Sequence, residues 1–276
     1  MSNRLSFDKQ VTIIAALAEG ASIRGVSRML DVDKETIMQL GKRVGDACAV
    51  YLDERMRNLS CKRLEVDELW AFINKKQAEC LPEDFMQGYG DAYTFVALDA
   101  ETKLVPAFLV GRRDYQSTNL FIGDLSSRLR HRIQLSTDGF HSYAPAVEAT
   151  WGVGIDYAQI VKSFASPESA EQRKYSPSDV AGVEKTIIVG SPDESKISTS
   201  FVEKQNHTVR MHCRRFARLT NGFSKKLENF KAAVALHFAY YNLVKFHSTI
   251  RCTPAMAAGV ERSPLTVKDL VFFSYQ

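Results

Sequence analysis

Arg63-Leu64-Glu65-Val66-Asp67-Glu68-Leu69-Trp70-Ala71-Phe72-Ile73 decides the fold. Apolar and polar residues alternate through part of this stretch, which reads as a β-strand. Upstream the apolar spacing is helical. Val11, Ile14, Ala15 and Ala18 share a helical face, and Gly20 is a natural stop. Ser22 caps a second helix carrying Ile23, Val26 and Leu30. Leu30-Asp31-Val32-Asp33 reads as a tight turn, and Asp33 caps a third helix through Ile37 and Leu40. Two short helices joined by such a turn, with a helix before them, form a helix-turn-helix pattern. The helix from Asp33 would then enter a DNA major groove, with Lys34, Thr36, Gln39 and Lys42 as candidate contacts.

Downstream, residues 93–99 (YTFVALD) and 103–110 (KLVPAFLV) read as two further strands, with Ala100-Glu101-Thr102 as their hairpin turn. Ser117 caps a helix through Leu129. Residues 133–137 form a short strand ending at Asp138-Gly139. Residues 143–150 suit a short helix with Pro145 in its first turn. Residues 157–161 read as a fifth strand. Three strands in hairpins, then helix, strand, helix, strand, is the order of the ribonuclease H-like α/β fold. The expected fold class is therefore α/β: a mixed five-stranded sheet flanked by helices, with an N-terminal all-α helix-turn-helix domain. The expected boundaries are 1–60 for that domain, 61–250 for the catalytic domain and 251–276 for a C-terminal tail. An irregular excursion is expected at 164–200, which holds Pro167, Pro177, Pro192 and many serines, with regular structure at most over 185–189. Long helical tracts are expected from Phe201 to about Arg218 and from about Ser224 to Lys245. Pro254 is expected to end regular structure.

Composition sets outer limits. The 276 residues are 45% apolar and 25% charged, which excludes wholesale disorder. The net charge of +4 hides an asymmetry: residues 64–163 balance at −5, whereas residues 204–231 hold eight Lys/Arg against Glu228 alone. Cys48, Cys61, Cys80, Cys213 and Cys252 include no C-x-x-C pair, which excludes a zinc ribbon and suits free thiols in a reducing cytoplasm. No apolar run approaches the ~20 residues of a membrane span. The opening MSNRLSFDKQ has no apolar core behind its basic residue, so no secretory signal is expected there.

Three carboxylates occupy informative places: Asp67 mid-strand, Asp138 at a strand end, and Glu203 near the start of a helix just past the excursion. In a ribonuclease H-like fold those elements meet. Three converging anions would repel one another unless divalent cations joined them. Hard oxygen ligands select Mg²⁺ or Mn²⁺, and two such ions serve phosphoryl transfer. At +4, +7 and +11 from Glu203 stand His207, Arg210 and Arg214. On a helix they share its face, and Lys204, Arg215 and Arg218 broaden a basic ridge suited to a phosphate backbone.

Ser198-Thr199-Ser200-Phe201-Val202-Glu203-Lys204-Gln205-Asn206 resembles the third catalytic segment of DDE transposases of the insertion sequence 1 group. Thr208-Val209-Arg210-Met211, Arg214-Arg215-Phe216, Leu219-Thr220-Asn221 and Phe223-Ser224-Lys225-Lys226 continue the likeness. Val66-Asp67-Glu68-Leu69-Trp70 and Ser136-Thr137-Asp138-Gly139 look like the first two segments. Tyr240-Tyr241-Asn242, His247 and Thr253-Pro254-Ala255-Met256-Ala257-Ala258-Gly259 look like the group's C-terminal signature. The resemblance implies a bacterial transposase. Such an enzyme would cut double-stranded DNA at the ends of its element and join 3′-hydroxyls to target DNA. It would use two Mg²⁺ (or Mn²⁺) ions held by Asp67, Asp138 and Glu203, and act as a homo-oligomer on DNA in the cytoplasm, with the nucleoid. Lys204 and His207 depart from the arginine and the apolar residue that the resemblance leads one to expect. Two alternatives stay open: a DNA-binding regulator or inactive copy, and a ribonuclease H-like nuclease without strand joining.

Overall fold

A computed structural model describes residues 5–164, 180–216 and 221–276. Strand β1 (Arg63–Ile73) lies inside a six-stranded sheet of order β3-β2-β1-β4-β5-β6. It pairs antiparallel with β2 (Gly90–Asp99) and parallel with β4 (Gln134–Asp138). Strand β3 (Phe108–Gly111) runs antiparallel to β2, and β5 (Asp156–Phe164) parallel to β4. The turn after β2 is fixed by Asp99, whose Oδ2 accepts from the Thr102 N–H at 3.2 Å and its hydroxyl at 2.5 Å. The result is a mixed α/β molecule with helices flanking the sheet, consistent with the ribonuclease H-like reading.

Helix α1 (Phe7–Ala18) is capped by Ser6, and α2 (Ile23–Leu30) and α3 (Lys34–Arg55) start where the sequence places their caps. The Gly25 N–H donates to Ser22 Oγ at 3.0 Å, and the Glu35 N–H to Asp33 Oδ1 at 2.8 Å. Asp31 takes the left-handed conformation, φ 48°, that closes the turn. Helix α3 runs well past Leu40, because Val44, Cys48 and Leu52 extend its apolar stripe. That stripe packs on α8 (Leu227–Ala239). The approach is close: a Cβ at Gly45 would lie 2.1 Å from the Ala232 carbonyl oxygen. Ile14, Ile37, Val44 and Cys48 thus belong to the same continuous core as Leu64, Phe95, Phe121 and Phe238.

Along the chain the short α4 (Pro82–Met86) follows β1, α5 (Tyr115–Arg128) follows β3 and α6 (Tyr143–Trp151) follows β4. Several expectations need correction. Ser117 does not cap α5: the helix starts at Tyr115, and Asp114 Oδ1 accepts from the Ser117 N–H at 2.8 Å. The strand expected over 103–110 is shorter, since β3 covers only Phe108–Gly111. The sheet has six strands, not five, because β6 (Val180–Val189) pairs antiparallel with β5 inside the expected excursion. Its run carries Gly182 and the charged Glu184 and Lys185, and most of it is exposed, so no apolar alternation marks it. Within that excursion, residues 165–179 lie outside the described residues, and Glu194–Lys196 form a 3₁₀ turn. Helix α7 (Ser200–His212) stops at His212, and Arg214–Phe216 form a separate 3₁₀ turn. Pro254 does not end regular structure; it opens α9 (Pro254–Ala257), as proline commonly does at a first helical position, and α10 (Val267–Phe273) follows.

Helix α8 continues into a π-helical turn, Tyr240–Val244. There the buried Asn242 amide exchanges two hydrogen bonds with the Val105 backbone, at 3.0 and 2.9 Å, tying the C-terminal helices to the sheet. All five cysteines are free thiols. Among the described residues no helix is long and apolar enough to cross a membrane.

Candidate active site

The parallel pairing of β1 with β4 ends at Val66 opposite Thr137. One residue further along each strand stand Asp67 and Asp138, at the carboxyl end of β4. Open α/β sheets place their ligand crevices outside such strand ends. Alternation along β1 sends Glu65 and Asp67 toward α7, where their partners lie, and Glu68 toward Tyr143 of α6. Glu203 projects from the first turn of α7. All three expected carboxylates line one cleft of about 510 Å³, together with Arg113, His141, Lys162 and Thr199.

Each carboxylate is held. Asn206 Nδ2 donates to Asp67 Oδ2 at 2.7 Å. The Phe140 N–H donates to Asp138 Oδ1 at 3.0 Å. Thr199 Oγ1 donates to Glu203 Oε1 at 2.7 Å, and Lys162 Nζ pairs with the same oxygen. Burial, reinforced by the negative charges of Glu68 and Asp138, pushes the Asp67 carboxyl up to about 7. Burial and the charge of Asp138 also raise Glu68, although Arg113 Nε and the Tyr143 hydroxyl (2.8 Å) donate to its carboxylate. Burial holds the Tyr143 hydroxyl well above its ordinary range, so it stays a neutral donor. Arg113 stacks over Phe140, 4.0 Å from the ring centroid, and its Nη2 lies 3.8 Å from Asp138 Oδ2.

One ligand atom from each of Asp67, Glu68 and Asp138 falls within 4.8 Å of the others. These are hard oxygen donors whose mutual repulsion a divalent cation would relieve, so the residues present fit such an ion. The tight trio differs from the expected one. Glu68 takes the third place, and Glu203 faces the same cleft bound to Lys162 and Thr199.

The remaining expected residues lie apart. Lys34, Thr36 and Gln39 are exposed on the first turns of α3, while Lys42 pairs with Asp46 at 2.6 Å. Lys204 and His207 are exposed on α7, and Arg210 is half-buried there. Arg214 is exposed but lies past the helix end, so the +11 spacing does not put it on the face of Glu203. Arg215 turns inward, its Nη1 donating to the Gly222 and Phe223 carbonyls at 3.4 Å each. Arg218 lies outside the described residues. Glu68, Arg113, Lys162 and Asn206 were not among the sequence candidates. Glu68 was legible only as the neighbour of Asp67, and strand alternation argues against adjacent residues sharing a site. Arg113 reaches the cleft from the loop after β3 and Lys162 from β5, both far away in sequence and with no motif around them.

No family model matches this chain, and no curated protein matches it. Among solved structures it is similar to a cryo-EM structure of piggyBac transposase in a synaptic complex with hairpin DNA. The identity is 12% and the TM-score 0.42, covering 98% of this chain and 69% of that one. It is also similar to the Mos1 transposase paired-end complex with the left transposon end, at 13% identity and TM-score 0.23. That likeness covers 54% of this chain and 58% of the other. Both likenesses are distant.

Proposed function

We propose that this protein is a DDE-type DNA transposase of the insertion sequence 1 group, with Asp67, Asp138 and Glu203 as its catalytic carboxylates. The observation that carries the reading is their convergence: three acids from β1, from the end of β4 and from α7 line one cleft. Asp67, Asp138 and Glu203 would hold two Mg²⁺ or Mn²⁺ ions, with Glu68 adding its charge. Bound there, such ions activate an attacking oxygen and stabilise a leaving one in phosphoryl transfer.

The chain's own groups prepare the site. Asn206, the Phe140 amide and Thr199 each orient one carboxylate. Arg113 and Lys162 put positive charge on the cleft wall, where a DNA phosphate would lie. Lys204, Arg210 and Arg214 extend that positive field along and beyond α7, with the His207 imidazole exposed among them. Helices α2 and α3 would recognise element ends through Lys34, Thr36, Gln39 and Lys42. Action at two ends implies a homo-oligomer on DNA.

The test is incubation of the protein with duplexes bearing the flanking element ends, Mg²⁺ and a target plasmid. The reading predicts covalent end-to-plasmid products through 3′-hydroxyls. Cleavage without joining would instead favour a ribonuclease H-like nuclease.

A further inference from the structure

Glu65 is buried on β1, only 1% exposed. It stands two residues before Asp67, so both side chains turn toward α7. Its Oε2 accepts from the Phe201 N–H at 2.7 Å and from the Val202 N–H at 3.0 Å. Those amides lie in the first turn of α7, where N–H groups have no partner inside the helix. They immediately precede Glu203.

Helices usually meet this need with the N-cap side chain. Thr199, the N-cap residue of α7, makes no capping bond; its hydroxyl is turned to Glu203. Ser198 Oγ accepts from the Ser200 N–H at 3.0 Å, and the next two amides are capped from the sheet, by the strand that carries Asp67. A carboxylate at a helix N-terminus is also favoured by the helix dipole. Phe201 is clamped beside it: Lys103 Nζ lies 3.2 Å from its ring centroid and the Arg63 guanidinium 5.9 Å. One turn further on, Asn206 bonds Asp67 at 2.7 Å. Two ties thus set α7 against β1, one on each side of Glu203.

We propose that Glu65 is a positioning residue: its grip on the Phe201 and Val202 amides fixes Glu203 relative to Asp67. The proposal rests on the reading of the cleft as a divalent-cation site. It requires no contact between Glu65 and the cation or the DNA. Groups that orient metal ligands from behind typically change metal affinity by roughly 10–100-fold when removed.

The experiment uses the full chain and two readouts, amide hydrogen exchange over residues 201–206 and Mn²⁺ affinity by titration calorimetry. Glu65→Leu removes the acceptor, Glu65→Asp retracts it by one methylene, and Glu65→Gln keeps a carbonyl oxygen for both amides. Asp99→Ala is the control: Asp99 is also a buried carboxylate of this sheet, but it serves the turn at Thr102. Glu65→Leu and Glu65→Asp are expected to speed exchange at 201–206 and to weaken Mn²⁺ binding by roughly 10–100-fold. Glu65→Gln should recover wild-type values within about threefold, and Asp99→Ala should lower the melting temperature with Mn²⁺ affinity unchanged. Glu65→Asp decides the matter if Glu65→Leu does not fold. Where wild type binds Mn²⁺ more tightly than Asp67→Ala does, unchanged exchange, or faster exchange with unchanged Mn²⁺ affinity, would overturn the proposal. So would equal Mn²⁺ losses in Asp99→Ala and Glu65→Leu. If wild type and Asp67→Ala bind Mn²⁺ alike, the cation reading fails separately. Exchange at 201–206 then decides the anchor: faster in Glu65→Leu upholds it, unchanged overturns it.

Discussion

Asp67 carries two burdens, burial and the charges of Glu68 and Asp138. Its carboxyl is raised from 3.8 to about 7 in the folded, metal-free protein. The unfolded chain releases this proton near pH 4, whereas the folded chain keeps it until about pH 7. Stability from this group is therefore full below pH 4 and is lost as pH rises toward 7. Asp67→Asn should stabilise the metal-free protein at pH 7.5 by an amount on the order of 1–4 kcal/mol. The gain should shrink toward zero at pH 4, as thermal melts at both pH values would show. A gain that is equal at both pH values would mean that Asp67 ionises normally. Asp67 and Asp138 were legible because each breaks an apolar strand or ends one. Glu68 was not, since its approach depends on β1 extending past β4, a matter of register. The arginines divide in a way that spacing alone could not give. Arg215→Ala should lower the melting temperature, because its guanidinium supports the carbonyls of Gly222 and Phe223. Arg214→Ala should leave it unchanged and lower the salt slope of DNA binding by about one unit. The opposite pattern would exchange their roles.

At the scale of elements, caps and alternation carried most of the reading. Ser22, Asp33 and the 63–73 stretch each announced their element through local chemistry. What stayed hidden depends on tertiary contact. Strand β6 exists because β5 offers it a partner, and α7 ends at His212 although its composition continues. The length of α3 follows from its packing on α8, and Gly45 marks the contact. Gly45→Ala would drive a methyl into the Ala232 carbonyl, and the two helices must separate to admit it. Overpacking of this kind typically costs about 1–3 kcal/mol. Chemical denaturation should show that loss, while Gly123→Ala, with open space at its Cβ, should show none of it. Equal effects at both glycines would mean that the α3–α8 contact is looser than described.

For the whole molecule, the N-terminal helices and the sheet share one core. Removal of residues 1–60 would uncover the apolar face of α8, so the remaining chain should aggregate or lose cooperative unfolding. End recognition is therefore better probed by Lys34→Ala and Gln39→Ala in the full chain. These should reduce the preference for element ends over random duplex and spare Mg²⁺-dependent chemistry. The catalytic reading stands on three acids brought together from positions 67, 138 and 203. It is tested most directly by Mg²⁺-dependent cleavage of element-end DNA by Asp67→Ala, Asp138→Ala and Glu203→Ala, with DNA binding measured alongside. The account predicts that each variant binds the ends nearly as wild type does and cleaves none of them. Near-normal cleavage by any one of the three would remove that residue from the site and contradict the account.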